Sequence, residues 1–281
     1  MNQTVSIVLG TRLADRYELV AEVARGAMGD VYEALDHQRG VKVAVKVLRA
    51  EYLADDSMRR RFRREGAVLK ALDHPAIIRL LELEVDADGM VYLVTDYVEG
   101  STLAERIAEG PLCLEEADRL TIALSDGLAA AHGHGVLHGD LKPGNVVWPA
   151  AGAGLPRLID FGASKILGLD RLTATGEVSG TPAYMAPEVI TGRTGVDRRI
   201  DVYGLGVLLY EALSATAPFQ DTHVGRLMMK IDAGDCLPLD AVADVPASIS
   251  DVVARAMHRN RDHRYEDMAA LEVAWQRARG R

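Results

Sequence analysis

A short polar segment at residues 138–145 carries side chains whose types suit the transfer of a phosphoryl group. Within six residues, Asp140 can accept a proton, Lys142 can neutralise phosphate charge, and Asn145 can ligate a metal ion through its carbonyl oxygen. Two glycines and a proline interrupt the segment, which therefore predicts a shaped loop rather than a helix or a strand. An ordinary surface turn would also be polar, so the rest of the chain has to distinguish the two interpretations.

A second carboxylate lies fifteen residues beyond Asn145, where Asp160 follows the apolar residues 158–159. A carboxylate at the end of a strand is well placed to ligate a metal ion, so Asp160 is a candidate ligand. The triplet Asp160-Phe161-Gly162 would equally fit a turn after a strand. Its distance from Asn145 is the more specific feature.

A lysine and a glutamate fall on otherwise apolar faces of two predicted elements. Residues 41–48 alternate as a buried strand, and Lys46 interrupts their apolar run. In the next segment, apolar residues recur at three- and four-residue steps, which predicts a helix whose buried face includes Glu65. Because burying an unpaired charge is costly, we expect Lys46 and Glu65 to form an ion pair. A lysine whose stem simply reaches to water is the alternative.

The elements that would position these residues are strands first and helices afterwards. The predicted strands lie at residues 17–48, 77–84 and 90–95. Residues 115–135 predict a long buried helix that delivers the 138–145 loop, and residues 200–210 predict a helix that is apolar nearly all round. Asp201, near the start of that second helix, could accept hydrogen bonds from backbone amides of the loop.

These residues combine into motifs that resemble those of the protein kinases. The motifs are Val43-Ala44-Val45-Lys46, His138-Gly139-Asp140, Asp160-Phe161-Gly162 and Ala186-Pro187-Glu188. In this combination the chain is similar to the catalytic domain of eukaryotic-like, bacterial-type Ser/Thr protein kinases.

The resemblance implies an α+β fold with two lobes. A small N-lobe would hold an antiparallel sheet and one helix, a larger C-lobe would be mostly helical, and an ATP cleft would lie between them. The implied bounds are an N-terminal lead-in at 1–14, the N-lobe at 15–97 and the C-lobe at 98–281, with a single kinase domain at 15–277.

The resemblance also implies a set of ATP-binding residues. Backbone amides at Gly26 and Gly29 would cover the phosphates, although Ala24 stands where the family pattern has its first glycine. Lys46, held by Glu65, would orient the α- and β-phosphates. The other residues implied are Val31, Ala44 and Val147 on the two faces of the adenine ring, Thr95 at the back of the pocket, and Asp96 and Val98 at the hinge.

The implied catalytic roles fall on the polar residues already described. Asp140 would orient the hydroxyl of the substrate and accept its proton, and Lys142 would stabilise the transferred phosphoryl group. Asn145 and Asp160 would hold Mg²⁺ or Mn²⁺. The implied reaction is the ATP-dependent phosphorylation of Ser or Thr in proteins, with a role in signalling.

Other implied roles are regulatory or structural. Residues 165–188 resemble an activation segment in which Thr173 and Thr175 are candidate sites of autophosphorylation. Glu188 would form a structural ion pair with Arg264, and His138 would be structural rather than the general base.

Two other interpretations compete with a protein kinase. Small-molecule phosphotransferases of the aminoglycoside-kinase kind share the two-lobed fold and often carry His-Gly-Asp, so Gly139 favours them. Lys142 and the Thr-bearing segment at 165–188 favour a protein kinase, because the small-molecule enzymes usually have His two residues after the catalytic Asp and lack a peptide platform. A non-catalytic pseudokinase is disfavoured because the full set of charged and amide residues is present.

The composition restricts compartment and partners. The 281 residues carry a net charge of -9, which argues against broad nucleic-acid binding. Only two cysteines occur, which fits a reducing cytoplasm. We find neither an uninterrupted apolar run of membrane-spanning length nor a signal peptide. The expected partners are protein substrates and, for trans-autophosphorylation, a second copy of the chain.

Overall fold

The structure, a computed structural model, describes residues 8–26, 28–85, 89–150, 154–161 and 182–281. These residues divide into two units. The first takes in the described residues of Met1–His74 and Ile78–Glu99, and the second consists of Pro75–Ile77 and Gly100–Arg281.

The first unit is built on a six-stranded antiparallel sheet. Its strands are β1 (Arg12–Leu13), β2 (Tyr17–Arg25), β3 (Gly29–Asp36), β4 (Val41–Leu48), β5 (Leu80–Val85) and β6 (Val91–Asp96). Their order in the sheet is β1-β2-β3-β4-β6-β5. β-branched and aromatic residues at alternate positions account for these strands, since such side chains pack well on a pleated surface.

The two faces of this sheet have different roles. One face carries a buried hydrophobic cluster that includes Tyr32, Val43, Val45 and Tyr92. The opposite face carries the alternate residues, among them Lys46, which pairs in register with Val31 on one side and Leu93 on the other. This second face is therefore the one that presents Lys46.

Helix α1 (Asp56–Ala71) packs on the lysine-bearing face. Its N-cap residue, Asp55, accepts hydrogen bonds from the amides of Ser57 and Met58, which satisfies two of the free N–H groups at the helix start. Phe62 is fully buried against Leu93 and its neighbours. Gly66 permits the close approach, because a Cβ at this position would lie 2.8 Å from Leu93 Cδ2.

The second unit is mostly helical. Its helices are α2 (Leu103–Ala108), α3 (Leu114–Gly133), α4 (Pro187–Ile190), α5 (Arg199–Ser214), α6 (Val224–Ala233), α7 (Ala247–Ala256) and α8 (Met268–Ala278). A small sheet joins β7 (Gly100–Thr102), β8 (Val146–Pro149) and β9 (Arg157–Leu158) in that order. Helix α5 is buried on nearly every side, as its apolar sequence predicts.

The predicted α+β class and the predicted elements are confirmed, with one local exception. The sequence predicts a strand from Ile77, but β5 begins at Leu80. Ile77 instead forms a parallel bridge with Leu158, and the carbonyl of Ala76 accepts a hydrogen bond from the amide of Leu158. Residues 75–77 therefore belong to the second unit, because their backbone pairs there. Across the described residues, no helix is both long and apolar enough to cross a membrane.

Candidate active site

A buried carboxylate in the first turn of α5 anchors the backbone of the 138–145 loop. Asp201 accepts hydrogen bonds from the amide of Gly139 at Oδ1 (2.7 Å) and from the amide of His138 at Oδ2 (2.9 Å). Nε2 of His132 lies 2.7 Å from the same Oδ2. Burial alone would raise the pKa of Asp201, but the contact with His132 and the hydrogen bond from the Gly139 amide outweigh it and lower that pKa. Asp201 is thus a charged anchor, as predicted.

Gly139 has the backbone geometry that this anchor requires. Its φ is +69°, in the left-handed region that glycine enters without steric cost. With this turn, the amides of His138 and Gly139 reach the two oxygens of one carboxylate. The glycine of the His-Gly-Asp motif therefore has a local conformational explanation.

The side chains of Asp140, Lys142 and Asn145 contact one another on the same loop. Nζ of Lys142 lies 2.9 Å from Oδ2 of Asp140. Nδ2 of Asn145 donates to the backbone oxygen of Asp140 (2.9 Å) and to the same Oδ2 (3.2 Å). Asp140 and Lys142 remain partly exposed, with 19% and 30% of their side chains accessible. The loop thus presents a positioned carboxylate, with an ammonium group beside it, to an incoming substrate.

His138 is fully buried within this arrangement. The amide of Asp140 donates to its Nδ1 (3.3 Å), so that nitrogen serves as an acceptor and carries no proton. Burial lowers the pKa of His138, against the opposing influence of the nearby aspartates. Its ring packs against Phe161 at 4.7 Å between centroids. These contacts suit a structural residue and not a general base.

Strand pairing connects the segments that carry Asn145 and Asp160. β8 and β9 pair Val146 with Leu158, and the amide of Ile159 donates to the carbonyl of Asn145 at 3.1 Å. Asp160 is the next residue along the chain from this backbone contact. Because Nδ2 of Asn145 is used within the loop, its Oδ1 is the atom suited to a metal ion.

This pair of oxygen donors fits a hard divalent cation. Among the described residues, no group of three or more His, Cys, Asp or Glu side chains is placed to hold a metal ion. A site with few protein ligands suits Mg²⁺, which keeps several waters and binds substrate phosphates.

Lys46 and Glu65 form the ion pair that the sequence predicts. Nζ of Lys46 lies 2.7 Å from Oε1 of Glu65. The Glu65 side chain is only 2% exposed and that of Lys46 is 17% exposed. The pair joins β4 to α1, so the helix fixes the direction in which the lysine points.

Three of the predicted ATP-binding residues share the sheet face of Lys46. Val31 is the register partner of Lys46, and Ala44 is the partner of Thr95. Since residues two apart on a strand lie on the same face, the structure groups these side chains on one surface of the first unit.

The predicted glycine-rich loop is the β2–β3 hairpin. Arg25 pairs with Asp30, and the amide of Gly26 donates to the carbonyl of Gly29 at 3.0 Å. A Cβ on Gly29 would lie 2.5 Å from the carbonyl oxygen of Val47. Gly29 is therefore required for the contact between β3 and β4, whatever it does for a ligand.

The remaining predicted site residues have the following places. Asp96 ends β6, and its amide donates to the carbonyl of Arg79 at 3.0 Å. Val98 is half-buried in the segment after that strand. Val147 lies in β8, paired with Thr102. The candidate phosphosites Thr173 and Thr175 lie outside the described residues.

Sequence reasoning missed His132. It lies in the last turn of α3, six residues before His138, and its ring contacts Asp201 across 69 positions of sequence. Its place in the last turn of the helix that precedes the loop is the one signal that could have indicated this contact.

The predicted pair between Glu188 and Arg264 is present and buried. The guanidinium group of Arg264 makes a bidentate contact with the carboxylate of Glu188, at 2.7 and 2.8 Å. It also donates to the backbone oxygens of His258, Arg199 and Arg259. The arginine therefore joins the segment before α5 to the segment before α8, with both charges neutralised.

Comparison with known proteins agrees with this geometry. Residues 17–276 match the family model "Protein kinase domain". The serine/threonine-protein kinase PknB of Mycolicibacterium smegmatis is 36% identical over 268 residues, covering 93% of this chain and 42% of that protein. PrkC of Bacillus subtilis, also named a serine/threonine-protein kinase, is 32% identical over 269 residues, covering 95% of this chain and 41% of that protein.

A solved structure shows the same fold. The Mycobacterium tuberculosis PknI kinase domain superimposes with a TM-score of 0.77 at 28% identity, covering 98% of this chain and 100% of that one. The chain spans about two fifths of the length of the curated relatives that it matches. With the family model matching almost its whole length, the chain belongs to the protein kinase family, and its relatives are bacterial Ser/Thr protein kinases.

Proposed function

We propose that this chain transfers the γ-phosphoryl group of ATP to Ser and Thr hydroxyls of proteins. The observation that carries the proposal is the joint placement of Asp140, Lys142 and Asn145 on one loop fixed by Asp201. Phosphoryl transfer needs positioning and charge stabilisation more than covalent chemistry, and a pre-arranged loop supplies both.

In this proposal Asp140 is the catalytic base. Its Oδ2 accepts the hydroxyl proton of the substrate, and its contact with Asn145 holds the carboxylate in place. Because Nζ of Lys142 lies 2.9 Å from that oxygen, its positive charge is within reach of a phosphoryl group moving toward a hydroxyl bound by Asp140. Lys142 therefore stabilises the transferred group.

Asn145 and Asp160 are the proposed ligands of Mg²⁺ or Mn²⁺. The ion, when bound, neutralises charge on the phosphate oxygens during transfer. The chain's part is to fix the two oxygen donors, through the Asn145 amide contacts and the backbone bond from Ile159.

Nucleotide binding is assigned to the residues that the family resemblance implies. Lys46, aimed by Glu65, binds the α- and β-phosphates, and the backbone at Gly26 and Gly29 covers the phosphates. The adenine is held by the apolar side chains of Val31, Ala44 and Val147, with Thr95 behind it and the backbone of Asp96 and Val98 at its edge.

Several wider assignments accompany this function. They comprise autophosphorylation at Thr173 and Thr175, transient pairing of two copies of the chain for that reaction, and the lobe bounds at 15–97 and 98–281. A cytoplasmic location fits the use of ATP and two cysteines that are both unpaired. Peptide mapping by mass spectrometry, after incubation with ATP and Mg²⁺, would identify the modified residues.

A protein substrate is favoured over an aminoglycoside. The feature that pointed to the small-molecule enzymes, Gly139, is accounted for by its φ of +69° and its bond to Asp201. It therefore carries no information about the substrate, whereas Lys142 has the spacing typical of protein Ser/Thr kinases.

The function is tested by substituting the base and a metal ligand. Asp140→Asn should leave nucleotide affinity nearly unchanged and reduce kcat by about 10²- to 10⁴-fold, because it removes only the proton acceptor. Asp160→Asn should weaken Mg²⁺-dependent nucleotide binding. Initial rates are measured on a generic protein and on an aminoglycoside. Near-normal turnover by Asp140→Asn would contradict the assignment, and transfer to the aminoglycoside alone would contradict the substrate class.

A further inference from the structure

A small cavity opens between two loops of the second unit, away from the residues assigned above to catalysis. One wall is the segment after α4, and the other is the segment between α7 and α8. The cavity has a volume of about 210 Å³. It is lined by Glu188, Arg193, Thr194, Arg259, Asn260, Arg261 and Asp262.

The lining has an excess of unneutralised positive charge. The carboxylate of Glu188 is already bound by the buried Arg264. That of Asp262 contacts Arg199 at 2.8 Å and shares this arginine with Asp197, so it offsets one positive charge of the lining at most. Three guanidinium groups remain, from Arg193, Arg259 and Arg261. Within the described parts of the chain, those of Arg193 and Arg259 have no side-chain partner, and both residues are exposed.

The rest of the lining adds hydrogen-bond donors. Oδ1 of Asn260 is used by the amide of Asp262, which leaves the amide nitrogen of Asn260 as its free donor. The hydroxyl of Thr194 also lines the cavity. Donors combined with arginine forks favour an oxyanion, because guanidinium groups bind its oxygens in pairs.

The two walls are fixed to each other before any ligand arrives. Nη1 of Arg261 donates to the carbonyl of Gly195 at 2.6 Å. Arg264 links Glu188 on one wall to the backbone of Arg259 on the other. A site whose walls are already cross-linked loses little entropy when it binds.

We propose that this cavity binds a phosphate monoester, in the form of a phosphorylated Ser or Thr side chain on a peptide. The volume is below the range of about 300–1,000 Å³ that is usual for drug-sized ligands, so the cavity suits a single phosphate group and not a nucleotide. A phosphate monoester carries close to two negative charges at neutral pH, which matches the two unpartnered arginines. The phosphopeptide as its source rests on the proposed function, since that reaction would generate such groups.

The test measures binding in the inactive Asp140→Asn background, so that no turnover interferes. A phosphoserine peptide, its unphosphorylated form and inorganic phosphate are each titrated by calorimetry and by NMR of backbone amides. We expect the phosphopeptide to bind and to shift the amide signals of Thr194 and Asn260, while the unphosphorylated peptide does not bind. The double variant Arg193→Gln/Arg259→Gln should weaken binding by about tenfold or more, since it removes two charge-assisted contacts.

The matched control is Arg277→Gln, which removes one exposed arginine on α8 outside the cavity. It should leave the affinity unchanged, and thermal unfolding should show that every variant is folded. Equal affinity in the wild type and the Arg193→Gln/Arg259→Gln variant, or equal loss in Arg277→Gln, would overturn the site. Inorganic phosphate binding as tightly as the phosphopeptide would overturn the peptide as its source. Because binding needs no catalysis, these outcomes are independent of whether the chain is an active kinase.

Discussion

Replacing Asp201 by asparagine tests the anchor of the catalytic loop most directly. The change keeps the size of the side chain and removes its charge. In the native arrangement both carboxylate oxygens accept, from the amides of His138 and Gly139 and from His132. Asparagine offers one accepting oxygen, and its NH₂ group has to face another donor.

The size of the effect can be worked out from these contacts. Losing one hydrogen bond to a charged group costs about 1.5–3 kcal/mol, and a buried donor left unsatisfied costs about 1–3 kcal/mol more. Asp201 is 1% exposed, so water cannot take over these roles. We therefore expect Asp201→Asn to lower the free energy of unfolding by about 3–5 kcal/mol, and to lower kcat by at least about thirtyfold through misplacement of Asp140.

Three measurements separate this effect from a general loss of stability. Hydrogen exchange should accelerate at the amides of His138 and Gly139, urea unfolding gives the stability, and single-turnover kinetics on the folded fraction give the rate of transfer. Asp197→Asn is the matched control, because this half-exposed aspartate precedes the same helix and contacts Arg199 at 2.7 Å. Unchanged exchange at the loop amides in Asp201→Asn, with a normal rate of transfer, would refute the reasoning.

Three further predictions concern other charged or modifiable side chains. Glu65→Gln should raise the KM for ATP and leave the free energy of unfolding nearly unchanged, because the amide still contacts Lys46 but no longer balances its charge. Steady-state kinetics measure the KM. Arg16 holds the pKa of Asp36 at about 2, below the usual 3.8. The contribution of this ion pair to the free energy of unfolding is therefore present above about pH 4 and is lost as the pH falls toward 2. The difference in unfolding free energy between wild type and Asp36→Asn should accordingly shrink over that range, and a constant difference in urea titrations would contradict it. The variant Thr173→Ala/Thr175→Ala should keep activity on an external protein within about tenfold, and a loss of a hundredfold or more would show that phosphorylation still controls the loop.

What the sequence predicted well depends on local periodicity. The strand carrying Lys46 alternates every second residue, and α1 repeats every three to four residues. Both patterns give the buried face directly, and a charge on each buried face implies a partner. The ion pair between Lys46 and Glu65 could therefore be predicted before its 2.7 Å distance was known.

The features that could not be predicted from the sequence are contacts between distant segments of the chain. No local pattern shows that His132 contacts Asp201, or that Ile77 bridges to Leu158 rather than beginning a strand. The arginine-lined cavity is likewise formed by two loops about seventy residues apart in the chain. Such contacts are decided by how helices and turns pack, which a periodicity of two or 3.6 residues does not encode.

Gly139 affects both the backbone geometry of the 138–145 loop and the way in which phosphorylation could control that loop. An L-residue at φ +69° would bear a cost of about 1–2 kcal/mol, which glycine avoids. The loop can therefore reach Asp201 without strain and without help from another segment. The same glycine leaves the position before Asp140 without a charge, so this position offers no partner to a phosphorylated residue. A loop already ordered by its own backbone and a buried carboxylate has less to gain from such phosphorylation. We therefore expect the Thr173→Ala/Thr175→Ala variant to remain active, because Asp201 orders the loop without a phosphate.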